Sequence, residues 1–71
     1  MQRFTFFQNA KMYDRGIARK RYFRDEQNPL GYLNAFQHEG RICAADDENG
    51  VQRVFQSNRG VWTESNHGVA S

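Results

Sequence analysis

Between Arg15 and Arg24 the chain reads RGIARKRYFR, which places Arg15, Arg19, Lys20, Arg21 and Arg24 close together and sets Tyr22 and Phe23 among them. A guanidinium fork matches phosphate and carboxylate oxygens in pairs, and a flat ring stacks on an unpaired base. The chemistry suggested is non-covalent: a strip that tracks phosphates, with Tyr22 or Phe23 available for stacking. A wet strand face neutralised by Asp25, Glu26 and the acidic run at 46–48 has the same composition, since charge on a small domain also serves solubility. The RNP1 pattern, the GXXG loop, zinc-finger spacing and a helix-turn-helix are all absent from the sequence.

Other reactive residues make weaker constellations. His38, Cys43, Asp46 and His67 offer only one thiolate, at spacings that fit no closed tetrahedral zinc site. Asp46-Asp47-Glu48-Asn49-Gly50 resembles the acidic part of a calcium loop. With Gly50 at the glycine position, however, Ala45 and Gln56 fall where oxygen ligands are required, so the run reads as an acidic hairpin turn. Two histidines could act as an acid/base pair near neutrality, yet nothing in the sequence brings His38 to His67, and no phosphate-cradling glycine loop or nucleophile elbow is present. The expectation is a non-enzymatic protein without metal or cofactor. Trp62 and Tyr32 are the aromatic candidates for anchoring a protein partner, in the manner of interface hot spots. For Trp62 the preferred reading is nevertheless the plug of the core in a domain short of aliphatics, since tryptophan is buried on average.

Charge is distributed unevenly. The formal net charge is +2, but residues 1–24 hold seven cations against Asp14, a net +6, whereas residues 25–71 hold Arg41, Arg53 and Arg59 against seven carboxylates, a net −4. A molecule polarised in this way can turn a basic face to an acidic partner.

These side chains must be positioned by a small fold. Seventy-one residues form one domain with a thin core, too small for a deep private cavity. Six Phe, three Tyr and one Trp stand in for the scarce Leu and Ile, and aromatics favour pleated surfaces. Arg41 to Glu64 reads as three strands joined by turns at Asp46–Gly50 and Ser57–Gly60, where Asn and Gly accept positive φ. The middle strand is expected at Val51–Gln56, within a C-terminal antiparallel meander. Arg3–Gln8 is a strand with aromatics on both faces, and Gly16–Arg24 is a second strand, because a helix would place Lys20 and Arg24 within its apolar stripe. Asp14-Arg15-Gly16 between them reads as a turn. Asn28 can cap a helix over about 29–39, with Pro29 at its first position and Gly40 as its left-handed stop.

The fold expected is α+β: a small antiparallel sheet of four or five strands with one helix at about 29–39, the alternative being a small all-β barrel. A single domain is expected over 1–65, with a loose tail at 66–71. With a single cysteine, no apolar leader and no run of spanning length, the chain reads as a complete cytoplasmic gene product without a membrane partner.

Two functions suit this pattern. The first is a small accessory protein binding nucleic acid or a nucleoprotein complex through the basic strip. The second is a stand-alone inhibitor or adaptor of the mobile-element or phage type, contacting an acidic protein surface stoichiometrically. Pairing through an exposed sheet edge would also allow a homodimer.

Overall fold

Alternation along β1 (Gln2–Phe7) sends Phe4 and Phe6 to one side of the sheet and Thr5 and Phe7 to the other, and all four are buried. A strand covered on both faces belongs inside the sheet. β1 accordingly lies between β2 (Lys20–Arg24) and β3 (Ile42–Asp46), with β4 (Gln52–Asn58) and β5 (Val61–Ser65) beyond β3. Each neighbouring pair is antiparallel, giving the order β2-β1-β3-β4-β5. The computed structural model describes residues 1–35 and 40–65, and over these the sheet is open, with β2 and β5 at its two edges. The barrel alternative is therefore overturned. β3, β4 and β5 form the expected meander.

Two short helices accompany the sheet where one was expected. Asn9-Ala10-Lys11-Met12-Tyr13-Asp14-Arg15-Gly16, read from sequence as a connection ending in a turn, contains α1 (Ala10–Arg15). The Asn9 side chain accepts a hydrogen bond from the Met12 amide at 2.9 Å, and Gly16, at φ 70°, closes the other end by donating to the Met12 and Tyr13 carbonyls. A helix of six residues with none of them buried has too little apolar periodicity to stand out in sequence. α2 (Pro29–Ala35) begins as its residues suggest. The Asn28 side chain accepts from the Gly31 amide at 3.2 Å and Pro29 occupies the first turn. The expected continuation to residue 39 lies outside the described residues, as does the tail at 66–71.

The chain from β2 to β3 crosses the Phe4/Phe6 face and lays α2 on it. Phe4, Phe6, Leu33, Cys43, Ala45, Phe55 and Trp62 form the main core there, with Tyr22, Leu30 and Tyr32 packed at its margin. A smaller cluster on the opposite face joins Phe7, Ile42, Ala44 and Val54, and Tyr13 of α1 meets the Phe7 ring edge-on. A buried side chain of this size stabilises the fold by about 1.5–3 kcal/mol, so the few phenylalanines dominate cohesion.

Three local expectations shift. The middle strand of the meander is Gln52–Asn58 rather than Val51–Gln56, because the second turn has only two residues, Arg59 and Gly60, between the paired Asn58 and Val61. Both have positive φ, as a type I′ hairpin requires, and Arg59 rather than Asn58 takes the first position at φ 56°. The second strand starts at Lys20, not Gly16, since α1 and its cap consume the preceding residues. Gly40, at φ 127°, is dictated by close packing: a Cβ there would lie 2.3 Å from the Phe7 carbonyl oxygen.

Candidate functional site

The basic stretch straddles β2, and strand alternation divides it. Lys20, Tyr22 and Arg24 share the face of Phe4 and Phe6, while Arg21 and Phe23 share the face of Arg3 and Thr5. Tyr22 is half-buried. Its ring stacks on Phe4 and Phe6 at centroid distances of 5.9 and 5.7 Å, and its hydroxyl lies 2.6 Å from that of Tyr32. Burial, then the Tyr32 hydroxyl, raises the Tyr22 pKa. With this ring committed to the core margin, Phe23 is the aromatic side chain on β2 that faces outward, at 62% exposure.

The cations of the stretch have different surroundings. The Arg24 guanidinium lies 4.5 Å from the Tyr32 ring centroid and its Nε is 3.4 Å from Glu26. Lys20 reaches over the Tyr22 ring at 5.9 Å, and Arg21 donates to the Thr5 hydroxyl at 3.3 Å. Arg15 is exposed at the last turn of α1. Arg19 is exposed, and its amide donates to the Phe6 carbonyl at 2.7 Å. Trp62, weighed as a partner anchor, is 5% exposed in the core and meets Phe6 edge-on. Tyr32, the other proposed anchor, packs half-buried against Phe4.

Register reveals a larger arrangement than the strip. The pairs Gln2 with Arg24, Arg3 with Asp46 and Asp46 with Gln52 place Asp25, Glu26, Asp46, Asp47 and Glu48 at the end of the sheet where β1 begins. The pairs Phe6 with Lys20, Phe7 with Ile42 and Asn58 with Val61 place Arg19, Lys20, Arg41 and Arg59 at the end where β1 finishes. α1 connects β1 to β2 at that same end and adds Lys11 and Arg15; the described acids there are Asp14 and Glu64, which stands level with Lys20. Charge is therefore separated along the strand axis. The acid end is partly neutralised: Arg3 bonds Asp46 at 2.8 Å, Arg24 meets Glu26, and the Met1 ammonium contacts Glu48 and, at 3.3 Å, Asp25. Arg53 and Glu64 form a two-pronged cross-strand pair at 2.9 and 2.8 Å, with the arginine holding the carboxyl below its usual range. Lys11, Arg15, Arg41 and Arg59 have no carboxylate within ion-pair distance among the described residues.

Lys11, Arg41 and Arg59 were not among the residues singled out for binding from sequence, and Phe23 was named there as the alternative to Tyr22 for stacking. Phe23 could have been preferred to Tyr22 by deciding which β2 face is wet. Lys11, Arg41 and Arg59 are scattered in sequence, and only the strand order gathers them.

The other constellations also resolve physically. The Asp47 side chain accepts from the Asn49 and Val51 amides, both at 2.9 Å, and thereby forms the hairpin turn between β3 and β4. Cys43 is fully buried, and loss of solvation pushes its thiol up to about 12. It stays protonated at neutral pH and unreactive as a nucleophile. Among the described residues no group of three or more His, Cys, Asp or Glu gathers to hold a metal ion, and His38 and His67 lie outside them. No helix among the described residues is long and apolar enough to cross a membrane. Compared with known proteins, the chain matches no family model, no curated protein and no solved structure.

Proposed function

We propose that this chain is a non-enzymatic accessory protein that binds nucleic acid, free or within a nucleoprotein complex, through the basic end of its sheet. The carrying observation is the collection of Lys11, Arg15, Arg19, Lys20, Arg41 and Arg59 at one end, where the described acids are Asp14 and Glu64, the latter bound by Arg53. At about 4.8 Å per strand, the span from β2 to the β4–β5 turn is roughly 15–20 Å, or about five base steps of a duplex at 3.4 Å each. A polyanion crossing this end releases counterions at each phosphate contact, and the acid end sets its orientation by repulsion. A base-stacking role for Phe23 is disfavoured, because its neighbours include Asp46, Asp47 and Glu48.

The test is fluorescence anisotropy with short single- and double-stranded DNA and RNA across a salt series. About five phosphate contacts give a log-log salt slope of roughly −3.5 to −4.5. The double reversal Lys11→Glu/Arg15→Glu is expected to weaken binding at least about tenfold and flatten the slope by roughly 1.5–2. Arg24→Glu, at the other end of β2, should matter much less. Unchanged affinity in the double reversal would sink the proposal. The second reading, stoichiometric binding of a protein, draws on a different observation: the exposed Phe23 ring.

A further inference from the structure

Five large hydrophobic side chains are substantially exposed among the described residues, and register puts all of them at the ends of the sheet. Met1, Phe23 and Val51 lie at the acid end, and Ile17 and Val61 at the basic end. Phe23, Met1 and Gly50 line an open groove of about 380 Å³ together with Asp46, Asp47, Glu48 and Arg3, whose guanidinium is held by Asp46 at 2.8 Å. Each end thus combines exposed apolar groups with surrounding charge, the composition of an interface with an apolar centre and a polar rim. The two ends are opposite in sign. Among the described residues the acid end has five carboxylates against Arg3, Arg24 and the Met1 ammonium, and the basic end has six cations against Asp14 and Glu64, the latter level with Lys20 but bound by Arg53.

We propose that the groove at Phe23 docks the basic end of a second copy of this chain, so that molecules associate head to tail. A guanidinium or ammonium from the neighbour would sit over the Phe23 ring with the Asp47 and Glu48 carboxylates beside it, a cation–π contact reinforced by opposite charge. Side-by-side pairing is the poorer geometry. Two β2 edges would bring Lys20, Arg21 and Arg24 against the same residues of the neighbour, and like charges directly opposite are destabilising. At the other edge, Asn34 already accepts from the Trp62 amide at 2.9 Å and donates to its carbonyl at 3.2 Å. A head-to-tail contact uses two different surfaces, so every terminal copy keeps one end free and the assembly grows with concentration unless it closes into a ring.

The experiment is sedimentation velocity on nuclease-treated protein, with no nucleic acid present, so its outcome is separate from that of the anisotropy test. At about 25 mM salt the mean mass is expected to rise with concentration, and at about 500 mM, where screening is strong, to return to that of the monomer. Lys11→Glu/Arg15→Glu removes four positive charges from the basic end and leaves it close to neutral, and Asp25→Lys/Glu48→Lys makes the acid end basic. Each should be monomeric alone, and an equimolar mixture should recover the higher mass. Phe23→Ser, at an exposed site, should reduce association without altering charge. A wild-type protein that stays monomeric up to millimolar concentration at low salt overturns the proposal. So does association that persists in Phe23→Ser, or a mixture of reversed variants that remains monomeric.

Discussion

At the scale of single residues, Gly40 and Glu64 illustrate two kinds of constraint. No L side chain fits at Gly40, because its φ of 127° is disfavoured and the Phe7 carbonyl occupies the space a Cβ would need. The Arg41 amide donates to that same carbonyl at 3.0 Å, so relaxation would also disturb the entry into β3. Gly40→Ala is expected to lower stability by about 2–4 kcal/mol, read from the urea midpoint. Glu64 carries a milder, pH-dependent contribution. Its folded pKa is lowered by Arg53, so the pair stabilises the protein above the unfolded carboxylate value and the contribution disappears as pH falls through the depressed folded value. For a pair this accessible to water the effect is about 0.5 kcal/mol. Glu64→Gln should cost that much at pH 7 and nothing near pH 2, so the wild-type and variant urea midpoints should converge in acid. A difference independent of pH would place the Glu64 contribution in packing.

At the scale of elements, α2 serves the core and an edge together. Leu33 and Pro29 are buried, while Asn34 on the same helix pairs with the backbone of Trp62 as a neighbouring strand would. This occupies part of the β5 edge with a side-chain amide, a local protection against strand addition. Asn34→Ala removes the two hydrogen bonds to Trp62, together with one to the Leu30 carbonyl at 3.2 Å, and reopens the edge. The expected result is a loss of about 1–2 kcal/mol, with increased aggregation on mild heating followed by light scattering. Loss of stability without aggregation would show that Asn34 ties helix to strand but does not guard the edge. The β2 edge is protected differently, by Lys20, Arg21 and Arg24 within five residues.

For the whole molecule, the basic end is shared by both proposals. The Cα radius of gyration is 11.0 Å and the longest dimension 27 Å, so this end cannot hold a polyanion and a second copy side by side. Nucleic acid and self-association should compete. Adding a short oligonucleotide to self-associated protein at low salt is expected to disperse it into small complexes, followed by sedimentation of a labelled strand. Large co-assemblies containing both would show instead that the two contacts use different surfaces.

Much of the secondary structure follows from local chemistry. Alternating aromatics specify β1, the acidic and Asn/Arg-Gly turns specify the meander, and Asn28-Pro29 starts α2, since each signal acts within a few residues. α1 escaped because Asn9 and Gly16 cap a helix too short to show an apolar period. The sequence by itself also determined that charge is divided between the two parts of the chain. Where that charge lies was decided by tertiary structure. Strand alternation split the basic stretch between two faces, and the β2-β1-β3-β4-β5 order brought Arg41 and Arg59 to the same end as Lys11 and Arg15. Local rules have no access to that arrangement, because which strands neighbour one another depends on burying Phe4, Phe6, Phe55 and Trp62 together, across distant parts of the chain.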